Sequence, residues 1–123
     1  PRAAMLLAKL NVLGKDLKSA QAQLEWAVTN SKEPAVKDLA RLRLAGVQLD
    51  QKQYDAALKT LSATHSDAYA FRFHDAKGDV LLAQGKQAEA RAAYQAAFGK
   101  MQEDDPYRSI VELKLDALGG EVK

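Results

Sequence analysis

Cysteine is missing altogether from this 123-residue chain. That excludes disulfides and thiolate metal sites, and it leaves an oxidising compartment tolerable without requiring one. Long apolar runs are missing too: no stretch reaches the roughly 18 residues of a membrane-crossing helix. No signal peptide is visible. Charge of one sign is scarce, with 18 Lys/Arg against 16 Asp/Glu and a formal net charge of +2. Residues 1–62 hold ten cations and six anions, and residues 63–123 hold eight and ten, so the halves differ only mildly. No dense basic stripe with interleaved aromatics marks a nucleic-acid binder. Val and Ile are sparse and nothing alternates with period two, so strand signals are weak. The chain opens on Pro1-Arg2 without an initiator methionine and reads as an excised piece, any anchor or targeting segment lying outside it.

What the chain has in quantity is alanine at helical spacing. Leu17, Ala20, Leu24, Ala27 and Val28 share one face, as do Val36, Leu39, Ala40, Leu44 and Val47, and again Ala90, Ala93, Tyr94 and Ala97. The spacing predicts seven helices over 2–13, 17–30, 34–50, 54–63, 67–84, 87–100 and 106–118.

The helices repeat in pairs. The small residues Ala8, Ala45 and Gly78 begin three registers, spaced by 37 and 33 residues. Twelve residues after each come Ala20, Ala57 and Ala90, and sixteen after each come Leu24, Leu61 and Tyr94. Nine after each come Leu17, Tyr54 and Gln87, the first two just past the turns "LGKD" and "DQKQ" and the third closing the turn "QGKQ". Small residues let paired helices approach, and a large residue one turn on fills the space beside them. A mean period near 35 in this pattern predicts an all-α helix-turn-helix solenoid: units 2–33, 34–66 and 67–104, closed by a capping helix over 106–118.

The segment "GDVLLAQGKQ" superficially suggests a phosphate-gripping loop. Six residues separate Gly78 from Gly85, four of them apolar, and Gln87 replaces the hydroxyl that would reach Mg²⁺. Gly85 reads instead as a helix C-terminus and Gly78 as a close approach between helices.

Catalytic constellations are not found. Neither HExxH nor G-x-S-x-G occurs, and no serine has a plausible histidine partner. His74, Asp75 and Asp79 form a helical cluster whose expected role is a solvated polar face rather than a metal site. Asp104-Asp105 before Pro106 reads as helix-start chemistry. Trp26 is expected in core or inter-repeat packing. Tyr69, Phe71 and Phe73 cannot all face one core at 100° per residue, and burial between repeats is the favoured reading. The chain is read as no enzyme, with no cofactor and no metal.

The stretch "GDVLLAQGKQAEARAAYQAAF" resembles the tetratricopeptide repeat at Gly78, Gly85, Ala90, Tyr94 and Ala97. The other units are degenerate, keeping Ala20 and Ala57 but lacking the first-helix aromatic. A narrower resemblance joins "LARLRLAGVQLDQKQYDAALKTL", "DAKGDVLLAQGKQAEARAAYQAAF" and the closing "SIVELKLDAL". Together they resemble the periplasmic part of YfgM-type ancillary subunits of the bacterial Sec translocon. That resemblance implies an interaction scaffold with protein partners (translocon subunits, periplasmic chaperones or client polypeptides), tethered at the periplasmic face of the inner membrane. A repeat module of an unrelated envelope assembly factor or regulator is the alternative.

By the repeat family's register, a partner would meet the inner face at Arg2, Met5 and Lys9, then Leu39, Leu42, Gly46 and Leu49, then Arg72, Asp75, Asp79 and Leu82. Relatives that grip acidic chaperone tails carry a clamp of Lys, Asn and Arg there. Met5, Leu6, Leu42, Gly46, Asp75 and Asp79 occupy most of those places, so that activity is not expected. An apolar stripe flanked by charge suits a hydrophobic segment or an amphipathic helix.

Overall fold

The computed structural model describes residues 16–63 and 65–119. The expected helix over 2–13 lies outside them. The described residues form six α-helices and no strand: α1 (Leu17–Asn30), α2 (Pro34–Asp50), α3 (Tyr54–Leu61), α4 (Ala70–Ala83), α5 (Gln87–Lys100) and α6 (Arg108–Ala117), with a 3₁₀ turn at Asp67–Tyr69 before α4. The all-α reading is therefore correct. The chain divides into two compact units, residues 1–66 and 67–123.

In the first unit, α1 begins where the Asp16 carboxylate accepts the Ser19 N–H at 3.2 Å, satisfying one orphan donor of the first turn. Pro34 opens α2, where a missing N–H costs nothing. The core between them joins Ala20, Leu24 and Ala27 of α1 to Val36, Ala40, Leu44 and Val47 of α2, the two stripes read from spacing. Trp26 corrects the sequence reading. It lies about a quarter turn or more from the Ala20–Leu24–Ala27 row and is 51% exposed. The helix α3 also ends at Leu61, two residues short of the expected 63. There the Ser62 hydroxyl donates to the Lys59 carbonyl at 2.7 Å, a local bond that competes with helix continuation.

In the second unit, α4 and α5 pair through Phe73, Val80 and Leu81 on one side and Ala90, Tyr94 and Ala97 on the other, all buried. Val111 and Leu115 bring α6 into the same core. Gly78 permits a close approach, as expected: a Cβ there would lie 2.6 Å from Tyr94 Cδ1, inside contact distance. Of the three aromatics, Phe73 is buried while Tyr69 and Phe71 are half-buried. The Phe71 ring packs 6.4 Å from that of Tyr107. The Asp105 carboxylate accepts the Tyr107 N–H at 2.9 Å, which completes a turn and starts α6 at Arg108 instead of Pro106.

The 33-residue repeat is visible in backbone geometry. Gln53 donates to the Gln48 carbonyl at 2.8 Å and Lys52 to Leu49 at 2.9 Å; thirty-three residues on, Lys86 donates to Leu81 and Gly85 to Leu82, both at 2.9 Å. Both helices end with a left-handed residue, Lys52 at φ 62° and Gly85 at φ 80°. The alanines Ala57 and Ala90 are completely buried. Beside them the first unit has Ala45 with Leu61, and the second has Gly78 with Tyr94: the smaller small residue accompanies the larger partner.

Candidate partner-binding faces

Arg2, Met5 and Lys9 lie outside the described residues. In the first unit Leu39, Leu42, Gly46 and Leu49 are spaced 3, 4 and 3 residues apart, so they form one stripe along α2. This stripe is separate from the buried row facing α1. Leu39 packs partly against the core, Leu42 and Leu49 are half-buried, and Gly46 is exposed with no atom within 4 Å of where a Cβ would stand. The result is a partly open apolar surface with a gap in its middle.

The same register in the second unit is polar and largely self-satisfied. Arg72 is exposed, its guanidinium 5.6 Å from the Tyr69 ring centroid and 5.8 Å from that of Phe71. Leu82 is 40% exposed. Asp75 and Asp79 do stack one turn apart, but only Asp79 keeps a partly solvated side chain. Asp75 is buried, and Lys114 of α6 reaches across to both, its Nζ 2.9 Å from Asp75 Oδ1 and 3.1 Å from Asp79 Oδ1. Two phenols complete the set: Tyr107 donates to Asp75 Oδ2 at 2.9 Å and Tyr94 to Asp79 Oδ1 at 2.6 Å. Lys114 also lies 5.3 Å from the Tyr94 ring centroid.

The electrostatics follow from the geometry. Burial alone would lower the Lys114 pKa, but the hydrogen bonds and charges of Asp75 and Asp79 outweigh it and raise the value above the ordinary 10.5. Burial, and then the hydrogen bond to Asp79, pushes the Tyr94 phenol up. Burial and the Asp75 bond do the same for Tyr107. The ammonium and both phenols thus hold their protons, and they link three helices around two carboxylates. The position a cation would take between Asp75 and Asp79 is filled by Lys114 Nζ.

Lys114, Tyr94 and Tyr107 had no functional mark in the sequence. Spacing alone joins Asp75 to Asp79, whereas Lys114 is 39 and 35 residues away and reaches them only because α6 folds back. A lysine amid apolar residues in the closing helix, where two carboxylates one turn apart await a counter-charge, is the one available signal.

The chain matches the tetratricopeptide repeat-like domain over residues 1–120. It is similar to an "ancillary SecYEG translocon subunit" of Neisseria gonorrhoeae, 39% identical over 99 residues, covering 80% of this chain and 47% of that protein. It is also similar to the Escherichia coli protein of the same name, 37% identical over 94 residues, covering 76% of this chain and 46% of the relative. The chain spans about half the length of the curated relatives it matches. No solved structure matches it. Its repeat register, its paired helices and the match over nearly its full length agree: the chain belongs to the tetratricopeptide repeat-like family.

Proposed function

We propose that this chain is a non-catalytic interaction domain of a Sec-translocon-associated protein, tethered to the inner membrane and working on its periplasmic face. Its task is to hold a chaperone or an emerging client near the translocon, raising the local concentration of one for the other. The observation that carries this reading is the 39% identity, over 80% of the chain, to a protein named as an ancillary SecYEG translocon subunit. The geometry supports it through the half-exposed leucines of α2 and the exposed Leu82 of α4, which offer apolar area in the register where repeats of this family meet their partners.

The Asp75–Asp79 pair belongs to the same register, but Asp75 is buried and Lys114 offsets one of the two charges, leaving only Asp79 partly exposed. Binding is therefore assigned chiefly to Leu39, Leu42, Leu49 and Leu82, with Arg72 at the margin. A photo-crosslinking residue at Leu42 or Leu82, used in intact cell envelopes, should capture translocon subunits or periplasmic chaperones. Capture of cytosolic proteins alone would remove the reading.

A further inference from the structure

The mismatch in length between two neighbouring helices creates a second surface. With 17 residues α2 is about 25 Å long, whereas the 8 residues of α3 cover about 12 Å. As the antiparallel partner, α3 covers the C-terminal half of α2, where Thr60 donates to Gln48 Oε1 at 2.7 Å. The N-terminal half of α2 is not reached by α3, and the connector at His65-Ser66 bonds to it instead. A cleft of about 750 Å³ opens there, lined by the end of α1, the first turns of α2 and the connector at His65-Ser66, all within the first unit. That volume accommodates a drug-sized ligand or a few residues of a peptide.

Its charge is one-sided. Lys32, Lys37 and Arg41 line the cleft against a single carboxylate, Asp38, giving a formal +2. Asp38 already has a structural task. It accepts the Ser66 N–H at 3.1 Å and the Ser66 hydroxyl at 3.2 Å, fastening the connector to α2, and Arg41 lies 3.4 Å from its other oxygen. Among the described residues neither Lys32 nor Lys37 pairs with a carboxylate. Both stand at the N-terminal end of α2, where the helix dipole adds positive potential. None of the inner-register leucines lines this cleft, so the surface is distinct from the one proposed above.

We propose that this cleft binds a short acidic segment of a partner protein, whose carboxylates pair with Lys32 and Lys37. A recessed site with mixed polar and apolar walls suits an extended peptide better than a flat membrane. The near-neutral chain, with no aromatic row beside the cations, argues against nucleic acid. The inference stands independently of the translocon reading.

The test uses the 123-residue chain and a labelled peptide of alternating glutamate and leucine, with a glutamine-for-glutamate copy as the neutral control. Trp26, the single tryptophan, is one helical turn before the lining residues Thr29 and Asn30, so its emission gives a label-free second readout. The acidic peptide should bind, the neutral copy should bind more weakly, and added salt should weaken the acidic complex. Lys32→Glu with Lys37→Glu should reduce affinity on the order of tenfold. The same charge change at exposed Lys77 should leave it intact. Because a double reversal could disturb the fold, Lys32→Gln with Lys37→Gln is measured alongside, and its helicity and affinity must separate in the same way. Equal binding of the neutral peptide, or unchanged affinity in both double variants, would overturn the proposal. So would binding of anionic vesicles or single-stranded RNA at Lys32 and Lys37 in place of peptide.

Discussion

Lys52 holds a backbone conformation that its own side chain resists. At φ 62° it occupies the left-handed region, where a Cβ crowds the following carbonyl at a cost of about 1 kcal/mol. Gly85, at φ 80° in the matching turn, avoids that cost. Lys52→Gly should therefore stabilise the first unit by about 0.5–1 kcal/mol, and Gly85→Ala should destabilise the second by a similar amount, both read from urea denaturation midpoints. The Gly85 result is diagnostic because no atom lies within 4 Å of the added Cβ, leaving backbone strain as the cause. Gly78 is the opposite case, set by space. Gly78→Ala would drive a methyl into the Tyr94 ring and displace the phenol from Asp79, at a cost of about 1–3 kcal/mol. A melting temperature that does not move would refute the close approach. Ala57 and Ala90, fully buried, should respond to a large residue in the same way and by a similar amount.

Among the helices, α6 carries the most electrostatic consequence. It is held by Val111 and Leu115 in the core and by Lys114 on two carboxylates. Lys114→Met would leave Asp75 buried without its counter-charge, so a loss on the order of 1–3 kcal/mol is expected. The same group predicts a pH dependence. A lysine whose folded pKa is raised contributes stability that is fully present below its unfolded value of 10.5 and is lost as pH rises through the folded value. The raised phenols of Tyr94 and Tyr107 act with the same sign from their ordinary 10.0 upward. Denaturation curves should thus be flat with respect to these groups from neutral pH to about 10, then shift to lower urea above it. Lys114→Met should show a shallower alkaline decline than the parent chain. An equal decline in both would place the alkaline sensitivity elsewhere.

At the scale of the whole protein, the proposed function predicts that partner capture falls when apolar area is removed at Leu42 and Leu82. Leu42→Glu and Leu82→Glu should lower co-purification of envelope partners several-fold while far-UV circular dichroism stays unchanged, since neither side chain belongs to the buried core. Undiminished capture by the combined variant would move the contact away from these residues.

Helix placement was largely legible from residue order. The ranges 17–30, 34–50 and 87–100 follow from apolar spacing and coincide with α1, α2 and α5, because a helix that must bury one stripe writes that stripe every three to four residues. The pairing of small and large residues at 33-residue intervals was equally readable, since neighbouring helices meet in sequential order and the contact repeats with the motif. Three features were not. Trp26 reads as a packing residue by type, but its angle off the stripe leaves it half exposed. The early end of α3 goes with a serine hydroxyl that bonds its own backbone. The pairing of Lys114 with Asp75 and Asp79 depends on where the last helix lands, 35 to 39 residues downstream. Local periodicity encodes what each helix buries. Which charges are neutralised and which remain open to a partner follows from contacts distant in the chain, and no spacing rule spans that distance.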